Sequence, residues 1–128
     1  NISLEDIVYY YADKDSNDII IDASNFNNKK GDSEVFGISL NELGLYNIEI
    51  TMKSEQGSLS QLPLSIYYDN ALKSTITIRG TEGEWVTESR ELGFIFGVNH
   101  YIKLYFGASG LDIDKVVIKF MGKGKLPF

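Results

Sequence analysis

Between Tyr46 and Met52 the chain alternates without a break: Tyr46, Ile48, Ile50 and Met52 are apolar, and Asn47, Glu49 and Thr51 stand between them. A period of two puts one set on one face of a sheet and the other set on the opposite face, and no helix accommodates it. The pattern recurs along the chain. Leu62, Leu64, Ile66 and Tyr68 alternate, as do Ile102, Leu104 and Phe106, then Val116, Ile118 and Phe120. Turn signals separate these runs roughly every ten residues, and no stretch holds a helical period, so the pattern predicts an all-β, antiparallel β-sandwich or jelly roll.

The remaining elements follow in order. Ile7, Tyr9 and Tyr11 oppose Val8 and Tyr10 in a first strand, and Asp13–Asp18 is a polar turn. Ile19–Ile21 starts a strand that ends near Ala23, and the polar stretch from Asn25 to Glu34 reads as loop. Val35–Leu40 is a strand and Asn41–Gly44 a turn. Ser54–Gln61 is a loop, Asp69-Asn70 turns the chain, and Leu72–Ile78 is a β-branched strand with threonines on its wet face. Arg79–Glu84 is a loop, and Trp85–Phe96 holds one or two strands broken near Gly93. The last two strands flank Gly107-Ala108-Ser109-Gly110, and this short turn predicts that they pair with each other. Asp112 and Asp114 start the final strand and point the same way.

Composition narrows the function classes. The 128 residues make one domain, 1–128, with room for a real core, and a 43% hydrophobic content is globular. The formal charge of −6 lacks a basic stripe, which argues against nucleic acid and against an anionic membrane. No apolar run is long enough to span a bilayer. Without cysteine there is neither disulfide nor thiolate metal site. The chain begins at Asn1 without methionine, which reads as a piece of a longer polypeptide.

From Asp22 onward, over about four-fifths of its length, the chain resembles carbohydrate-binding modules of the family 6 and family 35 type. The likeness rests on order and spacing: Asp22-Ala23-Ser24-Asn25-Phe26, Leu40 to Tyr46, Gly83-Glu84-Trp85, Gly97-Val98-Asn99-His100, and Leu111 to Val116. It implies a galactose-binding-like jelly roll, appended to a secreted or cell-surface bacterial glycoside hydrolase and not itself catalytic. It implies a carbohydrate ligand and, as partner, the catalytic domain of the same polypeptide. A sugar ring would stack on Trp85, Asp112 would bind hydroxyls, and Phe36 would add a third contact. A structural calcium would sit on Asp22, Ser24 and Asp114, with Ser24 standing where the family has a second glutamate. The stretch from Asp22 to Phe36, which supplies another wall of the family's site, is much shorter here.

Each candidate also has a structural reading. Trp85 is either an exposed platform or a plug for the end of the sandwich. Asp112 either binds a ligand or caps its own turn, as Asp often does. A domain that only braces a catalytic neighbour is the alternative to sugar binding. His100 stands alone and reads as a strand-start residue. Asp13-x-Asp15-x-Asn17 imitates a calcium loop, but Asp18 stands where glycine is needed, and a solvated turn fits better. The acidic run Glu82, Glu84, Glu88 and Glu91 reads as a wet face rather than an acid–base pair.

Overall fold

A computed structural model describes residues 6–124. Among these described residues, nine strands form two sheets: β1 Tyr9–Tyr11, β2 Ile19–Asp22, β3 Ser33–Ser39, β4 Gly44–Lys53, β5 Gln61–Tyr68, β6 Ala71–Arg79, β7 Val86–Ile95, β8 Asn99–Phe106 and β9 Asp112–Phe120. One sheet runs β1-β3-β8-β5-β6 and the other β2-β9-β4-β7. Every pairing is antiparallel except β1 with β3. The alternating apolar sets meet between the sheets. Ile48, Ile50, Val116 and Ile118 from one side face Leu64, Ile66, Ile102 and Leu104 from the other, all fully buried.

The expected pairing of the last two strands is wrong. β8 lies between β3 and β5, whereas β9 lies between β2 and β4 in the opposite sheet. Both edges of each strand are already filled by distant partners, so the glycine-rich turn arches across the core instead of closing a hairpin. At its start the Gly107 N–H donates to the Pro63 carbonyl. Gly107 is also where the backbone passes close, because a Cβ there would press on the Pro63 ring.

The period of two shifts at three bulges, two of them in the four-stranded sheet. Ile113 and Val116 both face the core although they are three apart, because Asp114 and Lys115 are both exposed where the β4–β9 register shifts. An inserted residue bends its strand and increases its twist. On β7 the expected break near Gly93 is a second bulge: Leu92 has no partner on β4, and Gly93 takes φ +88. The strand continues through it to Ile95.

Tyr46 is fully buried, and its hydroxyl donates to the Glu42 carbonyl at 2.6 Å. This ties the 41–44 turn to the start of β4 as a tyrosine corner. Burial raises the Tyr46 phenol above its ordinary value. Tyr10 packs on Phe36 while Tyr11 is exposed, the mixed role that their alternation implies.

Candidate functional site

Trp85 stands at one end of the sandwich, in the loop between β6 and β7, and is 49% exposed. It is therefore no plug. Its loop is held by another, residues 54–60. Thr81 Oγ1 accepts the Ser54 N–H at 2.8 Å and donates to the Ser54 carbonyl at 3.0 Å. The Gly83 N–H donates to that same carbonyl, and the Glu82 N–H donates to Gln56. Ser54 is fully buried, so these bonds have no competition from water. The loops touch at Gly80, where a Cβ would collide with the carbonyls of Gln56 and Gly57. Glu82 and Gly83 then take φ +53 and +85, a left-handed turn that aims Trp85 outward.

The sheet register sets its neighbours. Val86 lies opposite Met52, so Trp85, one residue earlier, falls beside Lys53. Lys53 Nζ lies 4.8 Å from the indole centroid, a cation–π contact, and 3.7 Å from Glu55 Oε1. Across β4 and β9, Lys53 lies opposite Asp112. Trp85, Lys53 and Asp112 thus form one row on the outer face of the four-stranded sheet, with Trp85 and Asp112 about 10 Å apart at two strand spacings.

Asp112 does not cap its own backbone. Its Oδ1 accepts from Asn28 Nδ2 at 2.9 Å, and that amide also donates to the Leu111 carbonyl at 2.9 Å. The short loop after Asp22 therefore still reaches the site, through Asn28. Its one aromatic residue, Phe26, turns away and packs on Phe36. Neither Asn28 nor Lys53 was singled out from the sequence. Asn28 looks like any polar loop residue until it is matched with Asp112. Lys53 becomes legible only once the β4–β7 register puts it beside the tryptophan.

Phe36 is a correction. It is 3% exposed and lies between Phe26 and Tyr10, with ring centroids at 5.8 and 5.9 Å, so it cannot touch a ligand. Its place on β3 is in phase with buried Ile38, which points it inward.

Asp22, Ser24 and Asp114 do come to one seam. Asp22 lies opposite Lys115 on β9, and the Ala23 N–H donates to the Asp114 carbonyl at 3.0 Å, which stitches the two ends of the chain together. Asp22 Oδ1 accepts both the Ser24 hydroxyl at 2.7 Å and the Ser24 N–H at 3.0 Å. The hydroxyl first, then the amide, hold the Asp22 carboxyl below its ordinary value. Calcium takes six to eight hard oxygens. Asp22 and Ser24 are already engaged with each other, and the Asp114 carboxylate adds only one more group, so these three exposed side chains do not fit that demand. Among the described residues no three His, Cys, Asp or Glu side chains gather to hold an ion. In the 13–18 turn, Asp13 Oδ2 instead accepts the N–H groups of Ser16 and Asp15, which lowers its carboxyl.

His100 is the second residue of β8, with Nδ1 2.8 Å from both Asp69 Oδ2 and the Tyr68 hydroxyl. Burial, then the Asp69 charge, push the Tyr68 phenol up to about 12. Tyr67 faces outward beneath Lys103, whose Nζ lies 4.4 Å from its ring centroid. In the acidic run, Glu82, Glu84 and Glu91 are exposed and Glu88 lies 3.7 Å from Arg90.

The architecture is that of a β-jelly roll, and comparison with known proteins identifies which one. The C-terminal family 6 carbohydrate-binding module of a marine laminarinase from Zobellia galactanivorans superposes with a TM-score of 0.66 at 19% identity, over 80% of this chain and 99% of that one. A family 35 carbohydrate-binding module from an environmental isolate gives 0.63 at 16%, over 79% and 76%. The chain therefore has the fold of family 6 and family 35 modules. In sequence, a β-glucosidase of Ruminococcus albus is 32% identical over 102 residues, 80% of this chain and 11% of that enzyme. The chain thus spans about a tenth of the length of the curated relative it matches. No family model matches it.

Proposed function

We propose that the chain is a non-catalytic carbohydrate-binding module, acting outside the cell and joined to a glycan-active catalytic domain. One observation carries the reading: a half-exposed tryptophan on a loop locked by buried hydrogen bonds, beside polar side chains. A pyranose ring has an apolar C–H face that stacks on an indole and a rim of hydroxyls that needs donors and acceptors. Trp85 supplies the first. Asp112, Asn28, Lys53 and Glu55 supply the second. With Phe26 turned inward, the short loop adds no ring opposite Trp85, so binding is weak to moderate.

The test is a titration of Trp85 fluorescence with a panel of oligosaccharides. A saturable shift with one glycan class is expected, and Trp85→Ala lowers the affinity roughly thirtyfold while the melting temperature holds. A silent tryptophan across a broad panel removes the proposal.

A second reading, a brace against the catalytic domain, has support of its own at the other end of the sandwich. Leu43, Leu45, Phe96, Val98 and Met121 are exposed there, and Phe96 packs against Phe94 with the rings tilted by 58° and their centroids 4.7 Å apart. Exposed apolar groups gathered in one patch mark an interaction surface. The two readings use opposite ends and are compatible.

A further inference from the structure

We propose that the binding surface does not end at Trp85 but continues down the outer face of the four-stranded sheet, as a tract for the inner units of a linear, uncharged polysaccharide. This rests on the reading of Trp85 as a sugar platform and extends it from a single ring to a chain. A groove of about 440 Å³ adjoins Trp85 there, lined by Glu49, Thr51, Thr87, Asp114, Lys115 and Val117. That volume falls within the range of small-molecule sites. Lys53 is not part of the lining, so the groove meets a part of the indole clear of the ammonium.

The register orders the groove into rows. Beyond the Trp85–Lys53 row comes Thr87–Thr51–Lys115, and beyond that Glu49–Val117. From Lys53 to Glu49 is four residues of strand, about 13 Å, longer than one pyranose ring. The far row lies mid-strand on β4 and β9, so a chain can run on past it. The hollow has a structural cause. The β9 bulge leaves both Asp114 and Lys115 outside and raises one wall, while the small side chains of Thr51 and Thr87 keep the floor low.

The lining chemistry matches a polyhydroxylated chain. Thr51 Oγ1 and Thr87 Oγ1 are 2.9 Å apart, so one donates to the other and the pair still offers one hydroxyl donor and acceptor lone pairs. Glu49 accepts hydroxyls, Lys115 donates to them, and Val117 with the threonine methyls meets C–H faces. Ile20, opposite Val117 and exposed, extends the apolar strip at the far row. Two carboxylates against one ammonium, on a chain of net charge −6, repel a polyanionic glycan and admit a neutral one.

The experiment is calorimetric titration with β-linked gluco-oligosaccharides, from disaccharide to hexasaccharide, on the unmodified chain, Trp85→Ala, and the double variant Thr51→Ala with Thr87→Ala. Far-UV spectra and melts confirm that each variant is folded. The tract predicts an affinity rise of about tenfold or more from disaccharide to hexasaccharide. In the double variant the hexasaccharide-to-disaccharide ratio falls toward one. Equal affinity at all lengths, or a double variant that keeps the ratio, overturns the tract and leaves the platform standing. A Trp85→Ala variant with unchanged affinity at every length and an intact length dependence supports the tract and overturns the platform. Binding at no length overturns the tract, and the platform falls with it when Trp85 fluorescence is also silent across the wider glycan panel.

Discussion

The two ends of the sandwich are built on different principles. At the Trp85 end the aromatic ring is mounted on loops, and those loops are tied by buried hydrogen bonds through Ser54 and Thr81. Its neighbours are polar and held: Lys53 lies between the indole and Glu55, and Asn28 donates to Asp112 and to the Leu111 carbonyl. At the other end, Leu43, Leu45, Phe96, Val98 and Met121 are exposed around a turn held from beneath by Tyr46. The first surface keeps an apolar platform in water by surrounding it with groups that water solvates. The second sets five exposed apolar side chains around the 41–44 turn, with the Glu42–Lys123 ion pair beside them, as a face that meets protein does. Exposure alone does not separate them, since Phe96 is more exposed than Trp85. The company each aromatic keeps does.

That contrast can be broken from either side. Thr81→Val keeps the shape but leaves the buried Ser54 N–H without its acceptor, which costs about 1–3 kcal/mol. Denaturant unfolding should show the loss, and glycan affinity should fall with it because the same loop carries Trp85. Trp85→Ala should leave the unfolding curve in place and lower affinity by roughly thirtyfold, about 2 kcal/mol. Tyr46→Phe is the counterpart at the apolar end. It loses one hydrogen bond, about 0.5–1.5 kcal/mol, with unchanged glycan titrations; a change there would mean that the ends are coupled.

Two smaller effects concern the seam between β2 and β9. The donors there do not fit calcium, so melting curves with calcium and with chelator should coincide. A higher melt with calcium would mean that backbone carbonyls complete the shell. Asp22 titrates below its ordinary value when folded. Its stabilisation is therefore present above the unfolded carboxylate value, about 3.9, and fades as pH falls through the lower folded value. Ser24→Ala removes the leading cause, so the acid limb of the melting-temperature profile should become slightly shallower. An unchanged limb would show that the Ser24 N–H suffices.

The sequence made the sheets legible because alternation is a local signal. Tyr46 to Met52 and Leu62 to Tyr68 point where their spacing says they point. It misled where a distant partner decides. The turn at 107–110 looks like a hairpin, and only the prior claims of β3, β5, β2 and β4 on the two strands exclude it. Phe36 illustrates the same limit: its phase on β3 buries it, although the resemblance made it a sugar contact. Trp85 was visible as a lone indole after Gly83, but its exposure came from the left-handed turn at Glu82 and Gly83 and from the lock onto Ser54. Asn28 and the bulge at Asp114 carry no local mark at all.

The most direct test of the division between the two ends is a nitrogen–proton NMR titration of the labelled chain with the oligosaccharide that binds best. Shifts should gather at the Trp85 indole and at the amides of residues 53–56, 81–87 and 112–117, while residues 43–45, 94–98 and 121 stay still. Shifts concentrated at the apolar end, with a motionless indole, would contradict the account.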